Sequence, residues 1–207
     1  MNNSFKRSLY VLCFLLLSIS AKSVMATCEL PPASQYECKG RTLVTNDEEL
    51  AAYLENYKYN SRHNIVRGVR LSGNFSGESL DVKTPCGIVV LAGTTFDYTG
   101  DICLAGRELV VGQANVNIQN AANVELISLN RVVIRENFSA NMTGDLSLLS
   151  LRSSMDSRSH IRYEANVSAN NLILKSLRRS TIGHTSTFNL TGKLSILSNG
   201  EDLPTDE

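Results

Sequence analysis

Asp97 and Asp101, in the stretch FDYTGDI, are close enough to share one turn. Two carboxylates at that range can divide acid and base roles when their environments push their pKa values apart. Asp-x-x-Gly-Asp is also ordinary turn chemistry, since short polar side chains and Gly stabilise bends. About twenty residues further on, the corresponding stretch carries Asn117, Gln119 and Asn120, so no carboxylate cluster accumulates. The sequence holds no Ser-His-Asp grouping and no phosphate-cradling Gly loop. Asp97 and Asp101 are the catalytic alternative to a chain without catalysis.

Positive charge offers a second chemistry. Between Arg131 and Arg179 the basic side chains outnumber the acidic ones, Glu136, Asp145, Asp156 and Glu164. A guanidinium fork matches the planar geometry of carboxylate, sulfate or phosphate. Stacked coils would gather Arg152, Arg158, Arg178 and Arg179 on one side, and these four are the expected ligand contacts, with an anionic polysaccharide or cell-surface glycan as partner. The competing account is a solvated edge whose charges discourage sheet-to-sheet pairing. Tyr53, Tyr57 and Tyr59, in YLENYKY, could form a sugar platform, but their helical spacing suits staples between a cap and the first coil.

Metal chemistry is not expected. No Cys-x-x-Cys occurs, and His63, His160 and His184 lie far apart, unlike the usual zinc spacings. No cofactor is implied. Residues 1–26 read as a signal peptide: Lys6 and Arg7, then LYVLCFLLLSIS (9–20), then Val24-Met25-Ala26 before a cut. The apolar run is shorter than the ~20 residues a membrane span needs, so no span remains after leader cleavage. A lipoprotein acylated at Cys28 is disfavoured by Thr27, where such sites want a smaller residue. The expected location is secreted, extracellular or at the cell surface, with the periplasm included.

Cleavage removes three basic residues and no acid, leaving 17 basic against 20 acidic. That balance lacks the basic footprint of a nucleic-acid binder. Cys13 leaves with the leader. An even count in an oxidising compartment implies two disulfides among Cys28, Cys38, Cys86 and Cys103. Three pairings are open, of which the local Cys28–Cys38 and Cys86–Cys103 are the simplest.

What must position these groups is a repeat. Phe75, Phe96, Val116, Phe138, Val167 and Phe188 recur at steps of 21, 20, 22, 29 and 21. Six residues before each stands an apolar residue: Val69, Val90, Val110, Val132, Ile161 and Ile182. After each comes an alternating pair, from Leu80/Val82 through Leu146/Leu148 to Leu194/Ile196. The long step is absorbed by RSSMDSRS (152–159), a loop bulging from one coil. Period-two strands broken by Gly, Asn, Ser and Thr predict an all-β chain, a right-handed parallel β-helix (β-solenoid) of about six coils. At about 4.8 Å per coil the rod would be about 25–30 Å long. No coil can bury its apolar face alone, so neighbours are obligatory.

The repeat also accounts for five glycosylation-like triplets, at Asn74, Asn137, Asn141, Asn166 and Asn189. Asn before the apolar anchor favours the bends between strands, and the residue after it faces solvent, where Ser or Thr is tolerated. Asn115-Val-Asn stands in the same series and is no sequon, as a structural origin predicts. Exposed acceptor sites are the alternative.

LVTNDEELAAYLENY (43–57) breaks the pattern. Thr45 or Asn46 can cap a helix, three acids suit its first turn, and Leu50, Ala51, Leu54 and Tyr57 share a face. A strand and helix laid over the open end of a stacked sheet would cover its unpaired backbone. A strand, the DEELAAYLEN helix, then a strand ending in Ser-Gly-Asn-Phe-Ser-Gly resembles the opening of the right-handed parallel β-helix proteins, the pectate-lyase-like superfamily. Coils such as TFNLTGKLSILSNG (187–200) are similar to those of bacterial secreted adhesins of the filamentous-haemagglutinin kind. The motifs are generic to the architecture and speak to fold rather than function.

The expected organisation is a leader (1–26), a disulfide-containing region and cap (27–63), a solenoid (64–198) and an acidic tail (199–207). No helix or basic strand is left to cover the final coil, so the tail itself, self-association or a domain outside this chain would protect that end. The expected function is an adhesive, glycan-binding or scaffold module. The alternatives are a minimal polysaccharide lyase or glycoside hydrolase using Asp97 and Asp101, or the N-terminal piece of a larger secreted protein.

Overall fold

The computed structural model of the chain describes residues 28–31, 37–60, 65–151, 158–162, 164–198 and 201–202. The leader and most of the acidic tail lie outside the described residues. Strand β1 (Glu37–Val44) leads into helix α1 (Asp47–Asn60). Six coils of three strands follow. The first comprises β2 (Ile65–Leu71), β3 (Asn74–Gly77) and β4 (Leu80–Thr84); the second β5 (Ile88–Val90), β6 (Thr95–Tyr98) and β7 (Ile102–Gly106). The third has β8 (Leu109–Gly112), β9 (Asn117–Ala121) and β10 (Val124–Ser128); the fourth β11 (Arg131–Ile134), β12 (Ser139–Met142) and β13 (Leu146–Ser150). The fifth has β14 (Arg158–Ile161), β15 (Asn166–Ala169) and β16 (Leu172–Ser176); the sixth β17 (Arg179–Ile182), β18 (Thr187–Leu190) and β19 (Leu194–Ser198). A short β20 (Glu201–Asp202) ends the order.

Corresponding strands of successive coils pair in parallel and build three sheets around one core. The chain is an all-β parallel solenoid of about six coils, as the period predicts. β1 adds to the free edge of the first sheet by pairing with β2. The third sheet keeps the predicted columns without error: Leu80, Ile102, Val124, Leu146, Leu172 and Leu194 are register partners in turn.

The other two sheets correct the expected columns by two residues. In the second sheet Phe75, Phe96, Ile118, Ala140, Val167 and Phe188 are the true partners. Val116 and Phe138 belong instead to the corner before that sheet, in a column with Thr94, Ala165 and Ser186. The side-chain volume of each layer explains the misreading. Where the strand position holds a ring, as Phe96 or Phe188, the corner is small, Thr94 or Ser186. In the fourth coil the ring moves to the corner as Phe138 and the strand position shrinks to Ala140. Close packing constrains the sum of the two rather than either alone. In the first sheet, likewise, Val69 aligns with Ile88 while Val90 aligns with Leu71. A slip of two leaves every side chain on its own face, so apolar alternation cannot detect it.

The Asn series also divides in two. Asn115 and Asn137 have left-handed backbones, with φ of 58° and 54°, as do Gly93, Glu164 and Thr185 in the same bend of other coils. That conformation is strained for most L-residues and tolerated best by Gly and Asn. Asn74 and Asn166, by contrast, open strands β3 and β15. All five sequon asparagines are exposed. The bend before the third sheet carries its own side-chain ladder. The Asn123 amide donates to Asp101 Oδ1 at 2.8 Å, and the Asn171 amide donates to Asp145 Oδ1 at 2.8 Å. The Asp145 backbone N–H donates to Asn123 Oδ1 at 3.0 Å, linking the two pairs.

At the first-coil end α1 closes the core. Asn46 Oδ1 accepts from the Glu49 backbone N–H at 2.9 Å, an N-cap. Leu50 and Tyr53 join the main apolar cluster, with the Tyr53 hydroxyl donating to the Arg67 carbonyl at 2.8 Å. Asp47 reaches the second sheet, accepting from the Tyr98 hydroxyl at 2.9 Å and the Ser76 N–H at 3.2 Å. At the far end the composition of 199–207 predicts an exposed tail, and the structure corrects this in part, because β20 folds back antiparallel on β19.

The disulfides correct the local pairing. Cys28 bonds Cys103 and Cys38 bonds Cys86, with Cα–Cα separations of 5.5 and 5.7 Å. Cys28–Cys38 and Cys86–Cys103 fail because the partners sit on different faces. Cys28 packs against the outside of the third sheet with Cys103, Ala105 and Ile127. Cys38 lies on β1, in the first sheet, opposite Val66. The segment 28–31 is thus strapped over the third sheet, where Arg107 Nη1 donates to the Pro31 carbonyl at 3.1 Å.

Candidate anion-binding face

Strands β11, β14 and β17 lie side by side in the first sheet. Their inward residues are Val132 and Ile134, Ser159 and Ile161, Ser180 and Ile182. Alternation therefore sends Arg131, Val133 and Arg135 outward on one rung, Arg158, His160 and Arg162 on the next, and Arg179 and Thr181 on the third. Register makes Arg131, Arg158 and Arg179 one column, and Val133, His160 and Thr181 another. Arg135 and Arg162 follow the strand ends at equivalent places, their N–H groups bonded to the Gly112 and Ile134 carbonyls of the preceding coils.

These side chains line a groove of about 150 Å³ whose floor is Val111, Val133, His160 and Thr181 and whose walls are five arginines. No carboxylate is among its described lining residues. The two arginine columns are four residues apart, about 13 Å along the strand, and successive rungs are about 4.8 Å apart. The floor is polar only at its far end, where His160 Nδ1 and Thr181 Oγ1 are hydrogen-bonded. Burial holds the His160 pKa below its ordinary value, and the charges of Arg162, Arg179 and Arg158 lower it further. The imidazole is therefore neutral near pH 7. In the tautomer whose Nδ1 accepts from the Thr181 hydroxyl, Nε2 carries the proton and is a donor for an anion. Such a groove offers planar donors and positive charge on both sides of a narrow, uncharged floor. It can hold anions, and the lining groups of a type that serves as base or nucleophile are His160 and Thr181.

Of the expected contacts, Arg158 and Arg179 wall this groove. Arg178 is exposed beside it but does not line it, and its N–H is held by Ser176 Oγ at 3.1 Å. Arg152 lies outside the described residues. The sequence reading did not place Arg131, Arg135, Arg162 and His160 on this face. The signal was present: RVVIR (131–135), RSHIR (158–162) and RSTIG (179–183) align when their isoleucines are superposed.

The other candidates lie elsewhere. Asp97 faces outward on β6, where its Oδ1 accepts from the Asn120 amide at 2.7 Å. Asp101 heads the ladder before the third sheet. Each carboxylate is thus held by an amide of the next coil, and in separate surroundings. Tyr53 is buried in the cap; the side chains of Tyr57 and Tyr59 lie outside the described residues. His63 is likewise undescribed, and His184 is exposed on the sixth coil. Among the described residues no three metal-ligating side chains converge. No helix among them is long and apolar enough to cross a membrane.

Fold and face together define a parallel β-solenoid with a cationic outer groove. No protein-family model, no curated protein and no solved structure matches this chain.

Proposed function

We propose that this chain is an exported, non-catalytic solenoid module that binds an anionic glycan on the outside of its first sheet, serving adhesion or scaffolding. One observation carries the reading: five guanidinium groups from three adjacent coils wall a single groove whose described lining residues include no carboxylate. Positive charges gathered on adjacent rungs focus a field that attracts an anionic ligand. Export accords with the leader-like residues 1–26 and with two disulfides, which persist in oxidising compartments. The resemblance to secreted β-helix adhesins fits the same role by analogy of architecture alone.

The test is retention on a heparin column at low ionic strength. The wild-type protein is expected to bind and to elute with salt, and the Arg158→Gln/Arg179→Gln variant to elute several-fold earlier in salt concentration. Flow-through of the wild-type protein sinks the reading. Release of unsaturated sugars from a polyuronate panel would replace it with a lyase.

A further inference from the structure

The groove also has a direction. Its positive charges are spaced closely across the rungs, about 4.8 Å apart, and widely along each strand, about 13 Å apart. Arg131, Arg158 and Arg179 are stacked three deep on one side, while Arg135 and Arg162 are stacked two deep on the other. A single compact anion placed anywhere in it meets only two or three guanidinium groups. A chain carrying an anion on each repeat, laid parallel to the rod axis, meets a fresh one at every rung. The uncharged floor of Val133, His160 and Thr181 runs the same way and leaves room for the backbone of such a chain.

Resting on the glycan-binding reading above, we infer that the ligand is a linear polyanionic saccharide lying across the rungs, its axis parallel to that of the solenoid. The footprint is finite. Toward the first coil the next rung outward holds Leu109, Val111 and Gln113, which carry no charge. Among the described residues the charged rows therefore extend over three rungs, about 10 Å between the outer two. Single-stranded nucleic acid is a poorer fit, because such sites stack bases on aromatic side chains and this floor has only His160 and Thr181 beside its valines.

Calorimetry with sulfated oligosaccharides of two, four, six and eight sugars, at fixed ionic strength, tests the inference. Affinity is expected to rise with length and to level off once three rungs are spanned. Removing the outermost cation, in Arg179→Gln, is expected to weaken the longer saccharides roughly fivefold and to leave the disaccharide unchanged. Arg158→Gln, at the centre, is expected to weaken all lengths. Circular dichroism confirms that both variants fold. Equal affinity for the disaccharide and the octasaccharide, or equal sensitivity of both to Arg179→Gln, overturns the cross-rung arrangement while leaving glycan binding standing. No binding at any length removes the underlying reading itself. Tighter binding of an oligothymidylate of matched charge assigns the groove to nucleic acid instead.

Discussion

The two ends of the rod are built from one repeat and braced very differently. In the first two coils Phe75 and Phe96 are stacked with ring centroids 5.6 Å apart and are almost wholly buried. Helix α1 closes the core beneath them, and both disulfides tie β1 and the 28–31 strap to coils one and two. In the last two coils the first-sheet column turns polar inside, with Ser159 and Ser180 donating to the Lys175 and Leu197 carbonyls at 2.6 and 2.7 Å. Ile182, Phe188, Leu190 and Leu194 are only partly buried there. The arginine groove sits toward this second end. In a stack whose units touch only their neighbours, stability need not be uniform. The cross-links, the helix cap and the Phe75–Phe96 stack all lie away from the groove, so the charged coils borrow their order from the braced end.

The sharpest way to break that contrast is to remove equivalent rings. Phe96→Ala should destabilise by about 3–5 kcal/mol, the usual range for a buried ring, because the cavity lies between packed coils. Phe188→Ala, one ring of the same column at the open end, should cost less than half as much. Denaturant titrations of both variants decide it. Equal losses would mean that the last coil is covered in solution, as self-association through that end would arrange.

Next in size are the cross-links. Cys38→Ser/Cys86→Ser opens a constraint with a sequence separation of 48. The chain-entropy account assigns about 4 kcal/mol to a loop of that size. Hydrogen exchange should show the loss in β1, β2 and β5 first, with the third-sheet strands β13 and β16 still protected. Uniform deprotection of all six coils would mean that the rod unfolds as one unit, and the comparison of ends would lose its meaning.

How far the sequence could be read follows from the same geometry. The period of about twenty-one residues was legible because the first two inward positions of every third-sheet strand are apolar, and Leu80 through Leu194 recur without exchange between columns. Cap and helix were legible because Asn46 and the acids after it are local signals. The registers of the first two sheets were not, because ring and small residue trade places between strand and corner, as Phe138 and Ala140 do against Thr94 and Phe96. The disulfides were hidden for a related reason. Sequence proximity suggested Cys28–Cys38, whereas which face each cysteine occupies is set only once β1 joins the first sheet. The arginine face suffered from the register error. Arg131, Arg135 and Arg162 were visible as charge, but only alignment of Ile134, Ile161 and Ile182 puts them outward beside Arg158 and Arg179.

The smallest effect, and the most local, concerns His160. Its folded pKa lies below the ordinary value of about 6.5, so the unfolded chain takes up its proton first as pH falls. Stability contributed by neutral His160 is therefore present above pH 6.5, declines as pH drops through the interval between the unfolded and folded values, and levels off beneath the folded one. Among the described residues, the charged groups that line the groove with it are Arg131, Arg135, Arg158, Arg162 and Arg179, all of the sign that opposes protonation. His160→Gln keeps a hydrogen-bonding partner for Thr181 and removes the titration. The difference in unfolding free energy between wild type and variant should thus change as pH falls below the ordinary imidazole value of about 6.5, whatever the exposed carboxylates and His184 do in both. A polyanion in the groove reverses the sign of the local field, raising the His160 pKa, and by linkage its affinity must then increase on acidification in the wild type but not in the variant. A difference that stays flat across that interval, with ligand and without, would mean that the five guanidinium groups do not act on the floor of the groove. The coils at the open end would then differ from the braced ones in packing alone.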